Sequence, residues 1–600
     1  MAVEQHEPWS HGAQRLPSGL VRFALWAPDA DNVSVIFDEG ASVPMQPQEG
    51  GWFSVETPCP ERSAYRYHVK AADGQAVTVP DPAARAQAGD VQGPSLVVEP
   101  DNYVWRHNHW HGRPWHEAVI YELHVGALGG FDGVREHLPR LAAMGITAIE
   151  LMPIAEFSGA RNWGYDGVLP YAAEASYGTP EQLKQLIDTA HGHGLMVLLD
   201  VVYNHFGPDG NYLHAYASSF FREDQHTPWG AAIDFRKRPV RDFFIDNALM
   251  WLFEYRFDGL RFDAVHAIED NTFLQELAQR IRQHTPHGRH IWLNLENEHN
   301  QAQLLRQGYD AQWNDDGHNV LHVLLTGETE HYYADYEDQT VEKLARCLSE
   351  GFVFQGHQNR HGKARGEPSG HLSPQAFVLF LQNHDQIGNR AFGERLARLC
   401  PAPALRAATT LLLTSPMIPL MFMGDEWAAE QPFQFFTDFH GELAEAVRNG
   451  RRSEFKDFSA FQDPEQRAKI PDPNAEATFE ASRPRLAQFE SQQNGPWVSL
   501  YRELLTLRRR ELFHRLPGSR SLGCKVIGSK AVSARWRLGD GSGLQIDLNL
   551  GEEAVKCELP FPTCRMFDSR EGATDTAALD KLPAYCALVS LLPREAAEAY

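Results

Sequence analysis

The sequence predicts a central (β/α)8 TIM barrel flanked by an N-terminal and a C-terminal β-sandwich. Three observations carry that reading. Between about residue 115 and residue 495, eight short apolar runs alternate with helix-period segments, the pattern of a barrel of parallel strands. The first 95 residues, and those after about 520, hold short alternating runs broken by Pro, Gly and Asp, as small sandwiches do. At 600 residues the chain is also too long for one core. The expected units are residues 1–95, 96–495 and 496–600.

In the first unit the alternating runs are Val21 to Trp26, Val33 to Phe37 and Tyr65 to Val69, and Pro80-Asp81-Pro82 and Gly93-Pro94 mark an irregular bridge. Barrel strands are predicted at Val119 to Val125, Thr147 to Met152, Met196 to Val202, Gly259 to Val265, Ile291 to Leu295, Tyr309 to Trp313, Phe377 to Gln382 and Pro419 to Met423. Helical patterns lie at Val134 to Met144, Arg238 to Glu254, Phe273 to His284 and Ala402 to Thr414, and in the stretch opened by Thr179 as N-cap and Pro180 as first helical residue. Two irregular segments, 206–236 and 351–370, are expected on the barrel's C-terminal rim, where active sites are built. A helical pattern from Trp497 to Glu511 leads into runs at Lys530 to Leu538, Leu544 to Leu550 and Tyr585 to Leu592.

The net charge of −24 argues against nucleic acid or an anionic membrane as partner, since both require basic patches. A neutral substrate fits better, and 14 Trp, 18 Tyr and 33 Phe could stack on sugars as readily as fill a core. The seven Cys are scattered, with no C-x-x-C spacing, so neither a disulfide framework nor a zinc site is expected. Residues 1–8 lack a basic stretch followed by an apolar run, and no segment is long and apolar enough to span a bilayer. These features point to a cytoplasmic protein.

The chemistry centres on Phe257-Asp-Gly-Leu-Arg-Phe-Asp-Ala-Val-His266. Period-2 alternation puts Arg261 and Asp263 on one face of a short strand. A neighbouring guanidinium favours the ionised carboxylate, as a nucleophile requires. Polar clusters end three further strands: Asp200 with Asn204-His205, Glu296, and Asn383-His384-Asp385. Carboxylates at the C-terminal ends of barrel strands converge on one mouth. Acetal hydrolysis needs two, a proton donor and an attacking group; Glu296 suits the first role and Asp263 the second, while Asp385 could hold sugar hydroxyls. Strand parity alone does not separate Glu296 from Glu298.

Asp-Val-Val-Tyr-Asn-His (200–205), Gly-Leu-Arg-Phe-Asp-Ala-Val-His (259–266), Glu296 and Asn-His-Asp (383–385) resemble the four signature regions of the α-amylase family of glycoside hydrolases, in the same order. The resemblance implies an isoamylase-type N-terminal module, a barrel and a C-terminal sandwich, with a retaining mechanism. It makes Asp263 the nucleophile, Glu296 (rather than Glu298) the acid/base and Asp385 the transition-state stabiliser. His205, Arg261 and His384 become contacts of the donated sugar, and Tyr165 the platform beneath it. No cofactor is implied. Some amylases hold calcium near the position of Asn204, but without a dedicated acidic loop no metal is expected here.

Longer stretches, among them Asn162 to Val168, Asn204 to Tyr212, Thr227 to Ala232, Asp263 to Ile268 and Gln312 to Asp316, resemble one subgroup, which hydrolyses the α-1,4 bond next to the terminal trehalose of maltooligosyltrehalose. The resemblance implies that substrate and related α-glucans as partners. Gly317 departs from it, standing where an aromatic is expected. His266, Glu328, Tyr332, Tyr333 and Gln386 are candidates for the leaving-group side. Branching or debranching at α-1,6 points and non-catalytic glucan binding are the competing readings.

Overall fold

Eight parallel strands close into a barrel: β1 (Ile120–Leu123), β2 (Ala148–Leu151), β3 (Met196–Val201), β4 (Gly259–Phe262), β5 (Trp292–Leu295), β6 (Ala311–Trp313), β7 (Phe377–Leu379) and β8 (Ile418–Phe422). β8 returns to β1, with Ile120 opposite Leu420. The computed structural model describes residues 9–597 except 72–73, 228, 490, 492–493 and 574–578. Residues 1–8, expected to lack a leader pattern, and Pro228 of the stretch Thr227 to Ala232 therefore lie outside the described residues. Seven of the eight predicted runs contain one barrel strand each, and the eighth, Pro419 to Met423, overlaps β8, which begins one residue earlier at Ile418. β4 is shorter than the predicted run Gly259 to Val265: Ala264 takes a left-handed conformation (φ 39°), which ends the alternation after Phe262.

Inside the barrel, Ile120, Ala148, Met196, Leu198, Trp292, Trp313, Phe380 and Leu420 form an apolar plug. Toward the C-terminal end the lining turns polar. Asp200, Arg261 and Asn294 are register partners on β3, β4 and β5, and Glu122 and Glu150 are partners on β1 and β2. All five are buried. Buried charge is costly unless it is paired, so this layer marks where the barrel stops being core and becomes site.

The helix Pro180–Gly192 has the expected cap: Thr179 accepts from Gln182 N–H, and the Gln182 side chain returns the bond to Thr179. Arg238–Leu249 runs on as a π-helical turn, Met250–Glu254. Three further helices of more than ten residues have no counterpart in the predicted pattern. Asp315–Thr326 is buried on nearly every side and so lacks a polar face, while Gly441–Glu454 buries only Arg451 and lacks an apolar one. The third is Thr340–Glu350.

The N-terminal sandwich pairs two antiparallel sheets, Gly12–Arg15 with Val21–Trp26, Trp52–Thr57 and Gln46–Gln48, and Ser42–Pro44 with Ala30–Phe37, Ala64–Ala71 and Ala76–Val79. Phe23 of one meets Tyr65 of the other edge-on at 4.9 Å. The Pro80–Pro82 bridge is not a loose linker, because Asp81 is fully buried and accepts from Tyr65 and Tyr67 hydroxyls. Arg85 then anchors the module to the barrel through Glu254, at 2.8 Å.

The C-terminal sandwich is built on a five-stranded antiparallel sheet, ordered Arg520–Gly528, Ala531–Arg537, Gly543–Asn549, Cys586–Leu592, Arg565–Asp568. One side packs on the helices Thr340–Glu350 and Ala402–Thr414. The other is covered by the segment bridged at Val555 and Leu582, whose Leu582, Cys557 and Leu559 pack on Leu588. All seven cysteines are free. Among the described residues, no helix is long and apolar enough to cross a membrane.

Candidate active site

Arg261 organises the mouth. It projects from β4 into the barrel, fully buried, with its guanidinium carbon 4.2 Å from the centre of the Trp313 ring. Its Nη1 donates to both Asp200 oxygens and to Asp263 Oδ1, each at 2.8 Å, and its Nη2 lies 2.9 Å from Glu296 Oε2. Burial works against the charge on Arg261, but the surrounding carboxylates keep its pKa well above the usual arginine value. One cation among three acids leaves negative charge over, and burial, opposed by Arg261, pushes Asp200 up to about 7.

Asp263 follows the end of β4. Its Oδ1 is held by Arg261, while Asn204 Nδ2 donates to its Oδ2 at 2.8 Å and to its backbone carbonyl at 3.0 Å. The left-handed turn at Ala264 comes immediately after it, and the Ala264 N–H donates to Glu296 Oε2 at 2.8 Å. Asp263 and Glu296 are thus fixed relative to one another through Arg261 and through one peptide group. Glu296 and Glu298 part here, since β5 ends at Leu295 and strand parity no longer applies. Glu298 points outward with its side chain 67% exposed, 3.8 Å from His266.

Asp385 sits in the first turn of the helix His384–Gly388, capped by Asn383, whose Oδ1 accepts the Asp385 N–H at 2.9 Å. Its side chain is the most open of the three acids. Burial raises its pKa and the Glu296 charge adds to this, with His384 and Arg261 opposing. His384 is buried and would be neutral on that account, yet the Glu122 carboxylate, hydrogen-bonded to Nδ1, and Asp385 carry it up to about 9. Through neutral pH it is therefore an imidazolium.

Tyr165 stacks on the His384 ring (centroids 5.1 Å apart) and donates its hydroxyl to Asp200 at 2.6 Å. His205 donates Nε2–H to the Tyr165 carbonyl at 2.9 Å. The expected donor-side residues thus form one connected patch. Asp200 belongs to the same patch, paired with Arg261 and Tyr165.

The leaving-side candidates are more dispersed. His266 accepts the Glu298 N–H at Nδ1 (3.3 Å). Glu328 is engaged within the protein by a two-pronged pair with Arg390 (2.7 and 2.9 Å) and by His322 at 2.7 Å. These bonds outweigh burial and hold it down to about 2. Tyr333 stacks on His322 at 4.1 Å, Tyr332 is 74% exposed, and Gln386 Oε1 is buried without a protein partner. Gly317 leaves no room for the expected aromatic, because even a Cβ there would lie 2.6 Å from Leu379 Cδ1.

Three residues of this site have roles that the sequence does not assign. Asn204 orients Asp263, Glu122 charges His384, and Trp229, 49% exposed, stacks on His205 at 5.3 Å. A lone glutamate in the apolar run Ile120-Tyr-Glu-Leu and a tryptophan in the stretch Thr-Pro-Trp-Gly are the signals the sequence offers for Glu122 and Trp229. Among the described residues no group of three His, Cys, Asp or Glu is arranged to hold a metal.

Three family descriptions match the chain: "Alpha amylase, catalytic domain" over residues 98–250, "Carbohydrate-binding module 48 (Isoamylase N-terminal domain)" over 10–84, and "Domain of unknown function (DUF3459)" over 519–594. The fold and these matches define a glycoside hydrolase of the α-amylase family. The malto-oligosyltrehalose trehalohydrolase of Deinococcus radiodurans is 42% identical over 84% of each chain. That of a Rhizobium species is 36% identical over 90% of this chain and 93% of its own. A solved structure from Salmonella typhimurium, provisionally described as an alpha amylase, superposes with a TM-score of 0.91 at 40% identity, covering 98% of this chain and all of the other. The chain belongs to the malto-oligosyltrehalose trehalohydrolase family.

Proposed function

We propose that the protein hydrolyses the α-1,4-glucosidic bond next to the terminal trehalose of maltooligosyltrehalose, releasing trehalose with retention. The observation that carries the reaction is the seating of Asp263: each carboxylate oxygen has one fixed donor, Arg261 or Asn204, beside a Glu296 tied to the same guanidinium. Asp263 attacks the anomeric carbon and forms a glycosyl-enzyme, while Glu296 gives its proton to the departing oxygen. Glu296 then takes a proton from the water that releases the sugar from Asp263. Asp385 accepts hydrogen bonds from sugar hydroxyls, which strengthen as the ring flattens toward an oxocarbenium ion. Tyr165, His205, Arg261 and His384 hold the donated sugar; His266, Glu328, Tyr332, Tyr333 and Gln386 lie toward the leaving group.

Incubation with maltooligosyltrehalose tests the reading by the trehalose released. New α-1,6 linkages formed from amylose, without trehalose, would assign the chain to branching instead. Asp263→Asn keeps the shape of the carboxylate but cannot attack, so turnover is lost while the fold and substrate binding persist; turnover like the wild type's in that variant would remove Asp263 from the role.

A further inference from the structure

The helix Gly441–Glu454 lies mostly in solvent, and of its described residues only Arg451 is buried. A guanidinium withdrawn from water is costly unless its donors are matched. Here Nη1 pairs with Glu454 at 3.0 Å, while Nη2 donates to two backbone carbonyls, those of Gly388 at 2.7 Å and Arg390 at 2.9 Å. The guanidinium carbon lies 4.8 Å from the centre of the Phe455 ring and 5.6 Å from that of Phe435, so two aromatic rings hold the head in place.

Both carbonyls belong to the turn by which the chain leaves the helix His384–Gly388. Five residues are too few to keep a direction unaided. The N-terminal end of this helix is tied down by the Asn383 cap and by Glu122, which accepts the His384 N–H at 3.1 Å. At the C-terminal end the last carbonyls lack partners within the helix, and a cation suits that end. Arg451 meets both needs. Gly388 also lies against Trp163 so closely that a Cβ there would be 2.0 Å from Cζ2. The two carbonyls that Arg451 clasps flank Asn389, whose backbone N–H donates to the Asp385 carbonyl at 2.8 Å and whose Nδ2 donates to Asp385 Oδ1 at 3.4 Å. Direct contacts therefore run from Arg451 through the Asn389 turn to the Asp385 carboxylate.

We propose that Arg451 is a positioning residue for Asp385: by clasping the carbonyls on either side of Asn389 it sets the turn whose amide steadies the Asp385 carboxylate. Hydrogen bonds that strengthen only as the sugar ring flattens demand a carboxylate held in one direction, because a small misplacement forfeits most of what they contribute. Arg451 itself touches no substrate; it acts through the turn. This rests on Asp385 serving the transition state of the proposed hydrolysis.

A double-mutant cycle on the full-length protein tests this, with trehalose release from maltooligosyltrehalose followed at enzyme in excess so that slow variants remain measurable. Arg451→Met is expected to lower the rate at least about tenfold in the wild-type background, the size of a misplaced hydrogen bond to a charged group. In the Asp385→Asn background the same change should cost less than about twofold, because the group it aims has already lost its charge. A residue that merely braces the fold would lower both rates by the same factor, and that result, or an undiminished rate in Arg451→Met, overturns the proposal. Arg451→Lys keeps the charge but brings one compact head to two carbonyls, so its rate should fall between those of Arg451→Met and the wild type; it carries the cycle if circular dichroism shows the methionine variant unfolded. Asp385→Asn alone should lose most of its turnover; if it does not, the reading of the acid trio has failed rather than the placement of Arg451.

Discussion

Asn204 and Asp263 are joined twice, since one amide nitrogen donates to the carboxylate Oδ2 at 2.8 Å and to the backbone carbonyl of the same residue at 3.0 Å. The pair fixes both the rotamer of the attacking group and the chain that carries it. Asn204→Ala should therefore lower kcat by roughly 10- to 100-fold, the worth of one hydrogen bond to a charged group. Circular dichroism should still report a folded protein. A variant with undiminished kcat would show that Arg261 alone suffices to aim Asp263.

Arg261 lies within 2.9 Å of acceptors on Asp200, Asp263 and Glu296. Arg261→Met leaves buried acids without a cation, which is expected to abolish activity and to cost about 3–5 kcal/mol of stability near neutral pH. The acids left behind can escape only by taking protons. A group whose folded pKa is raised, as that of Asp200 already is, contributes stability at low pH and loses it as pH rises through that pKa. Denaturation midpoints of wild type and variant should therefore lie closer together at pH 5 than at pH 8, and a constant gap would contradict this.

His384 is carried from 6.5 to about 9 by Glu122 and Asp385 against burial. A raised histidine pKa adds stability that is complete below 6.5 and is lost as pH rises through about 9. For this shift the amount is on the order of 3 kcal/mol. Glu122→Gln removes the main support, so the stability difference between wild type and variant should be largest near pH 6 and should shrink toward pH 10. Urea titrations across that range measure it, and a difference that grows with pH would be the wrong sign.

Trp229 stacks on His205 with half its surface open. Trp229→Ala should raise KM by about 2- to 10-fold, as expected for a lost aromatic contact, with kcat changed less than KM. Steady-state kinetics on maltooligosyltrehalose separate the two, and a fall in kcat alone would place Trp229 in the chemical step.

Much of this architecture was legible because local pattern and global role coincide. Parallel barrel strands are apolar on both faces and short, so eight runs stood out, and Ala402–Thr414 matches its predicted span because its ends are set by Pro401 before and Ser415-Pro416 after. Thr340–Glu350 escaped although Val341, Leu344, Ala345 and Leu348 bury one face, but two other helices escaped because burial did not follow one stripe. Asp315–Thr326 is wrapped by its neighbours, so its sequence carries no 3.6-residue rhythm of exposure.

The sequence by itself determined the barrel and the two flanking sandwiches and marked the strand ends that carry acids, because strand alternation and short polar motifs are written in contiguous residues. Only the tertiary structure decided which groups meet. Glu122 reaches His384 across 262 positions, Asn204 reaches Asp263 across 59, and Asp316 reaches the backbone of Val353 across 37. These choices depend on how β1 closes against β8 and on how each loop leaves its strand. Charge pairing inside a low-dielectric interior is set by distances of a few ångströms that no local pattern encodes.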